Sequence, residues 1–172
     1  MGNMIICRCN NCCFERNLNL GIGFSYPQVY NRTVERMKNG ELGEEAKIFI
    51  DENPYGAVDC SLIAASCTDC GNIQSVMDLT MYIPKDLGKV KHIRRRKRGI
   101  WSIAYPGKKD DYVDVNSYEN KDLYMEYRKY EHKCDLCGGR LEIIRDFELK
   151  SGELKCPQCG GILVIEAGAC WD

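Results

Sequence analysis

Four pairs of cysteines, each with two residues between its members, limit what this chain can fold into more than any other feature. The pairs are Cys9–Cys12, Cys67–Cys70, Cys134–Cys137 and Cys156–Cys159. They account for eight of the twelve cysteines among the 172 residues. Two intervening residues allow a tight turn to direct both sulfurs at one ion, and Zn²⁺ takes four ligands at tetrahedral corners, about 2.3 Å from each sulfur. The spacing therefore predicts two four-cysteine zinc sites, that is, two Zn²⁺ ions per chain.

A disulfide framework is the alternative explanation for so many cysteines. Residues 1–10 have neither the basic start nor the apolar core of a secretory signal peptide. The longest apolar stretches, such as Ile162–Ile165, are too short to span a bilayer. We therefore expect a cytoplasmic location, where thiols stay reduced and clustered cysteines usually bind metal.

Order along the chain suggests how the four pairs combine. The 18 residues between Cys137 and Cys156 are enough for a β-hairpin that brings the last two pairs face to face. The first two pairs would then form the other site, with residues 13–66 as an elaborated loop, although Cys7 and Cys13 flank the first pair and could substitute in it. The predicted first site is Cys9, Cys12, Cys67 and Cys70, and the predicted second site is Cys134, Cys137, Cys156 and Cys159.

Glycines follow three of the pairs, and this pattern resembles a known family. Residues 133–165 contain Cys-x-x-Cys-Gly twice and resemble zinc ribbons, which implies a fold that recurs in proteins of many functions. The run Cys156-Pro-Gln-Cys159-Gly160 also resembles a rubredoxin knuckle, which makes iron the alternative metal. The whole chain is similar to small bacterial proteins with two such sites, through residues 23–27, residues 78–84 and the Cys170-Trp171-Asp172 ending. That likeness implies no activity.

The segments between the cysteines predict an α+β fold with two zinc-ribbon-like modules, the first interrupted by a helical insertion at about residues 27–53. Pro27 suits a first helical turn, and Asn39-Gly40 suits its end. A second short helix follows over Leu42–Asp51, with Ile48 predicted to be buried. The domains expected are 1–88, 89–130 and 131–172, with strands at Ser61–Ser66, Asp78–Ile83, Trp101–Tyr105, Leu141–Ile144 and Ile162–Ile165. Leu123–Tyr130 fits a helix or a strand.

A basic run is the second unusual feature of the chain. Lys85–Arg98 holds eight basic residues and one acid, while the rest of the chain carries 16 basic against 24 acidic residues. Such a concentrated positive segment favours contact with phosphates, and the alternative is a solvated loop that folds back on acidic neighbours. The candidate nucleic-acid-binding residues are Lys89, Lys91, Arg94, Arg95, Arg96, Lys97 and Arg98.

Catalysis finds little support in the sequence. The two histidines, His92 and His132, lack a nearby nucleophile or carboxylate motif, and four-cysteine sites leave no open position for water. Cys7, Cys13, Cys60 and Cys170 are best explained as small apolar side chains. We therefore expect a zinc-dependent binding or adaptor module for nucleic acid or protein, not an enzyme. The alternative is a rubredoxin-like iron or thiol redox protein.

Overall fold

The computed structural model describes residues 2–23, 25–92, 112–145, 148–149 and 152–171. In chain order its named elements are β1 (Gly2–Cys9), β2 (Glu15–Leu20), α1 (Tyr26–Lys38), α2 (Glu44–Glu52), β3 (Ala57–Val58), β4 (Leu62–Cys67), β5 (Ile73–Met77), β6 (Met81–Pro84), β7 (Tyr124–Arg128), β8 (Leu141–Ile143) and β9 (Leu163–Trp171). Residues 87–92 are also helical. The mixed α+β class is thus confirmed. None of the described helices is long and apolar enough to cross a membrane.

The chain forms two compact units, each built from non-contiguous segments. Unit 1 comprises Met1–Phe24, Ser61–Asp78 and Glu131–Asp172, and unit 2 comprises Ser25–Cys60 and Leu79–Tyr130. These units differ from the predicted division at residues 88 and 130. The difference arises because the segments that carry the cysteine pairs come together in unit 1, whereas both long connections between those segments belong to unit 2.

Unit 1 contains two three-stranded antiparallel sheets of the same design. One has the order β2-β1-β9 and the other β5-β4-β8. In each sheet a hairpin supplies two strands, and a later single strand pairs with the first strand of that hairpin. The registers correspond, because Cys9 lies opposite Leu163 and Cys67 lies opposite Leu141. We call the first sheet with its cysteine turns module A and the second module B.

One apolar core serves both modules. From module A it takes Cys7, Phe14, Leu18 and Leu163, among others, and from module B Ala64 and Ile73. A second, smaller cluster lies within module B and consists of Ala65, Cys67, Cys134 and Leu141. The cysteine turns of both modules therefore emerge from sheets that pack against the same apolar core.

Unit 2 holds the predicted helical insertion. Helix α1 has a proline in its first turn and ends at Lys38, with Asn39 as its C-cap. It buries Tyr26, Tyr30, Thr33 and Met37 at helical spacing. Helix α2 buries Ala46 and Phe49. Ile48 is 46% exposed, so the prediction that it is buried is wrong. It is two residues from Ala46, and residues so spaced do not share a helix face.

The sheet of unit 2 has the order β3-β6-β7 and is antiparallel throughout. Its edge strand β7 shows that the aromatic segment Leu123–Tyr130, which fitted either a helix or a strand, is a strand over Tyr124–Arg128. Tyr127 projects from this strand onto Phe49 of α2, with ring centroids 5.5 Å apart. The predicted strand Trp101–Tyr105 lies outside the described residues.

Candidate metal centres

Two groups of four thiols lie in unit 1, and within each group all sulfurs are within 4.8 Å of one another. Site A consists of Cys9, Cys12, Cys156 and Cys159, and site B consists of Cys67, Cys70, Cys134 and Cys137. The closest sulfur pairs are 3.4 and 3.6 Å apart in site A and 3.4 to 3.7 Å apart in site B. Four sulfurs about 2.3 Å from a tetrahedral Zn²⁺ would be about 3.8 Å apart. Both groups therefore have the size and the donor set of a four-thiolate metal site.

The eight cysteines are those predicted, but the predicted pairing is wrong. The first cysteine pair, Cys9–Cys12, lies beside the fourth pair, Cys156–Cys159. The second pair, Cys67–Cys70, lies beside the third, Cys134–Cys137. The segment between Cys137 and Cys156 does not form the expected hairpin, because β8 leaves to pair with β4 and β9 leaves to pair with β1. Each site thus combines one turn from a hairpin with one turn that precedes a single strand.

A repeat in the sequence does carry this information. Lys133-Cys134-x-x-Cys137-Gly-Gly-x-Leu141 recurs 22 residues later as Lys155-Cys156-x-x-Cys159-Gly-Gly-x-Leu163. The two segments have the same structure, with isolated bridges Lys133–Arg140 and Lys155–Ile162. Two copies of one motif are expected to occupy equivalent positions in two separate modules, and not to form one metal site together. The similarity of the two turns therefore indicates the pairing better than their proximity in the sequence does.

The turns are shaped so that backbone N–H groups face the sulfurs. Gly138 and Gly160, which follow the last cysteine of each site, have φ of 73° and 72°, a conformation that other residues adopt only with strain. The next N–H, that of Gly139, lies 3.4 Å from the Cys137 sulfur. In site A the N–H groups of Asn11 and Gln158 lie 3.4 Å from the sulfurs of Cys9 and Cys156 respectively. Such donors stabilise thiolates, which are the form that binds metal.

One thiol in each site ionises readily. The N–H of Asn11 is the main reason that the pKa of Cys9 falls to about 7. At Cys134 burial raises the pKa, but the N–H groups of Cys137 and Leu136, with the neighbouring thiols, outweigh burial and bring the pKa to about 6.

Another thiol in each site retains its proton. The N–H of Phe14 lowers the pKa of Cys12, but burial and the neighbouring thiols, Cys156 first, raise it to about 12. At Cys137 the N–H of Gly139 has the same lowering effect, and the surrounding thiols again raise the pKa to about 12. Binding of a metal at neutral pH therefore has to displace protons from both sites.

Each site has a buried side and an exposed side. Cys9 and Cys156 of site A are buried, whereas Cys159 is exposed, and site B follows the same pattern with Cys67 and Cys134 buried and Cys137 exposed. Four sulfurs complete the coordination that Zn²⁺ prefers, so neither site retains a position for a reacting water. The arrangement suits a structural ion that joins two distant segments of chain.

The remaining cysteines and His132 join neither group among the described residues. Cys7 and Cys60 are buried, in agreement with an apolar role, but Cys13 and Cys170 are exposed. His132 is buried, and its Nε2 lies 2.9 Å from the carbonyl oxygen of Asp78. The possible substitution of Cys7 or Cys13 into a site is thus not observed.

Only part of the predicted nucleic-acid-binding run is described. Lys89 and Lys91 are exposed on the helical residues 87–92, where the Asp86 carboxylate accepts the N–H of Lys89 at 3.0 Å. The Lys91 ammonium lies 5.1 Å from the centre of the Tyr55 ring. The other candidates, Arg94, Arg95, Arg96, Lys97 and Arg98, lie outside the described residues.

Comparisons with known proteins find no matching family model, no matching curated protein and no matching solved structure. The fold and the two sites therefore define the class of this protein by themselves: an α+β protein with two four-cysteine groups that can hold metal ions.

Proposed function

We propose that this chain is a zinc-dependent binding module in which both ions are structural, unit 1 is held together by them, and recognition of a partner is the activity. The observation that carries the proposal is the pair of closed four-sulfur groups with sulfur separations close to those of tetrahedral zinc. Structural zinc sites of this kind contribute folding energy, and the surrounding surface is left to bind.

Elemental analysis of protein purified without added metal tests the metal part of the proposal. We expect two zinc ions per chain and a colourless solution. One ion or none would contradict it. Iron at either site, visible as a red iron–thiolate solution, would instead favour the rubredoxin-like redox alternative, for which the Cys156-Pro-Gln-Cys159-Gly160 turn is the sequence basis.

The two units differ in net charge, and this difference bears on the kind of partner that each can bind. Unit 1 carries seven Lys and Arg against eleven Asp and Glu, whereas unit 2 carries 17 against 14. A Zn²⁺ with four thiolates adds a net charge of −2, so metal binding makes unit 1 more negative still. Phosphate backbones repel such a surface. We therefore assign nucleic-acid contact to the basic run Lys89–Arg98 of unit 2, and not to the metal-binding turns.

Binding titrations across a salt series test this assignment. With about four to six phosphate contacts, the log–log slope of affinity against salt should be roughly −3 to −5. The triple variant Arg94→Ala, Arg95→Ala, Arg96→Ala should flatten that slope by about two to three, because each lost contact removes about 0.7 to 0.9. Sequence preference should be weak, since phosphate contacts do not read bases.

A matched control removes three exposed lysines elsewhere in unit 2, Lys38, Lys121 and Lys129, by substitution with Ala. It makes the same change in net charge and should leave the slope within about one unit of wild type. If wild-type protein binds neither single- nor double-stranded nucleic acid at low salt, the nucleic-acid assignment is wrong and a protein partner replaces it.

A further inference from the structure

The two metal sites share the apolar core of unit 1. Cys9 and Cys156, both ligands of site A, belong to it, and so do Ala64, Ile73 and Ile144 from module B or directly after its last strand. A metal ion that fixes the site A thiols therefore also fixes one wall of the core on which module B packs. Ordering one module lowers the conformational entropy that the other still has to lose.

The modules also touch at their turns and at their strands. A Cβ on Gly71, in the first turn of site B, would lie 3.2 Å from the Cβ of Pro157 in site A, so the two turns are in close contact. Gly21, directly after β2, and Leu62, the first residue of β4, exchange two backbone hydrogen bonds of 2.7 and 2.9 Å. Contacts of this kind transmit the ordering of one module to the other.

One side-chain route runs from module A to a ligand of site B. Arg16 on β2 donates to the Asn72 side-chain oxygen at 3.5 Å. The Asn72 amide in turn donates to Gln74 at 2.9 Å and lies 3.8 Å from the Cys134 sulfur. Gln74 is itself held by Asp135, the residue after Cys134, through a 3.2 Å hydrogen bond.

Among the described residues, site A has no matching side-chain route to module B. Asn72 is five residues after Cys67, and the residue five after Cys9 is Phe14, which belongs to the core. The carbonyls of both residues accept the N–H of the respective cysteine, so the positions are equivalent in structure and differ only in side chain. The amide at this position is thus specific to site B, and its partner Arg16 is specific to module A.

We propose that the two four-thiolate sites bind metal as a coupled pair, and that Asn72 is a positioning residue for Cys134 that connects site B to Arg16 of module A. The proposal rests on the metal sites proposed above. Filling one site raises the affinity of the other, and by thermodynamic reciprocity the effect is equal in both directions.

The test uses the full-length chain, ¹¹³Cd²⁺ as the probe ion, NMR to resolve the two sites, and a competing chelator to measure affinity at each. Asn72→Ala should weaken Cd²⁺ binding at site B about tenfold, the usual minimum for loss of an outer hydrogen bond to a ligand. It should also weaken site A about fivefold, at the low end of coupling factors, although Asn72 is not in hydrogen-bonding contact with any site A thiol. Arg16→Gln should weaken both sites in the same direction.

The effect on site A separates coupling from local damage. In a chain whose site B is disabled by Cys70→Ser and Cys137→Ser, Asn72→Ala should leave site A unchanged within about twofold, because there is no loaded partner to lose. Gln158→Ala is the matched control. The side-chain oxygen of Gln158 accepts from the Cys12 thiol of site A at 3.7 Å, so this variant should shift site A equally with site B intact or disabled. An equal effect of Asn72→Ala on site A in both backgrounds, or no effect in either, overturns the proposal.

A second measurement needs no disabled site and applies even if that variant does not fold. Native mass spectrometry with one equivalent of Cd²⁺ per chain should show fewer than about half of the wild-type chains singly loaded, because two independent sites leave half or more of the chains in that state. A singly loaded fraction of half or more overturns the coupling while leaving two metal sites in place. Wild-type protein that binds no Cd²⁺ contradicts the proposed function itself.

Discussion

Paired serine substitutions distinguish the observed arrangement of the sites from the one that chain order suggests. Cys9→Ser with Cys156→Ser removes two ligands from site A and leaves site B complete, so we expect one ion per chain. Cys134→Ser with Cys156→Ser removes one ligand from each site, so we expect both sites to fail. With the pairing predicted from sequence order, the two results would be interchanged.

The energies decide whether site B can survive the loss of site A. A structural zinc site contributes roughly 10–16 kcal/mol, and its midrange corresponds to a nanomolar Kd or slightly better. Loss of the coupling to site A lowers the affinity of site B by at most about 150-fold, or about 3 kcal/mol. Site B in the first variant would then bind with a Kd near 0.1 μM or better, so it remains filled at about 10 μM free zinc.

The chain segments that the ions close give a second magnitude. Cys12 and Cys156 are 144 residues apart, and Cys70 and Cys134 are 64 apart. Closing such a loop lowers the conformational entropy of the unfolded chain. At 25 °C this entropy loss is worth about 5 kcal/mol for site A and about 4 kcal/mol for site B. Loss of either site should therefore destabilise unit 1 by comparable amounts. The number of bound ions per chain, and not the stability, distinguishes the two arrangements.

The assay is native mass spectrometry of both double variants at matched zinc, with ¹¹³Cd NMR to identify which resonance is lost. Cys13→Ser with Cys170→Ser is the control, because both thiols are exposed and belong to neither group; it should retain two ions. One ion in the Cys134 and Cys156 variant, together with none in the Cys9 and Cys156 variant, would refute the arrangement of the sites.

Metal binding near pH 7 should release at least two protons per chain, because the pKa values of Cys12 and Cys137 are about 12 in the metal-free sites. Calorimetry in buffers of different ionisation enthalpy measures the release, and apparent affinity should fall as the pH is lowered; binding that is independent of pH would contradict the thiolate ligands. Gly138→Ala should cost about 1–2 kcal/mol in chemical denaturation of the zinc-loaded protein, because its φ of 73° strains any side chain while nothing crowds the added methyl group; a neutral substitution would mean that the turn adapts. Cys7→Ser should cost about 1–3 kcal/mol, because it places a hydroxyl in a core that excludes water, whereas the exposed Cys170→Ser should stay within about 0.5 kcal/mol. Equal stabilities of these two variants would show that Cys7 is not held in the core.

Features that depend on near neighbours could be predicted from the sequence. The eight cysteines of the two groups follow from the Cys-x-x-Cys spacing, since both sulfurs of a pair belong to one turn. The start of α1 at Tyr26 follows from Pro27, and its end follows from Asn39-Gly40. In each case the interactions that determine the structure involve only a few consecutive residues, so the local sequence pattern is sufficient to predict it.

The pairing of the turns depends on strand register across most of the chain and could not be predicted in the same way. Cys9 meets its partners because β1 lies against β9, a contact between the two ends of the described chain. The apolar pattern also does not indicate β1 and β2, because charged and amide side chains such as Arg8, Glu15 and Asn17 interrupt it. Arg8 is stabilised instead by Glu15 and Glu166 at 2.8 and 2.7 Å, partners that only the folded sheet supplies.

Along the sequence, both cysteine pairs of site B lie between the two pairs of site A, and this order has a consequence for synthesis on the ribosome. At about 5–20 residues per second, Cys156 emerges roughly 7–29 s after Cys12, whereas Cys67, only 55 residues after Cys12, emerges within about 3–11 s. A nascent chain in the presence of zinc is therefore offered the wrong partner first, in the same combination that chain order suggests. Zn²⁺ bound by these two early pairs would have to exchange ligands to reach the native arrangement once the last turn appears. Folding in the cell should accordingly slow when free zinc is high, and refolding of the complete, metal-free chain should avoid the delay.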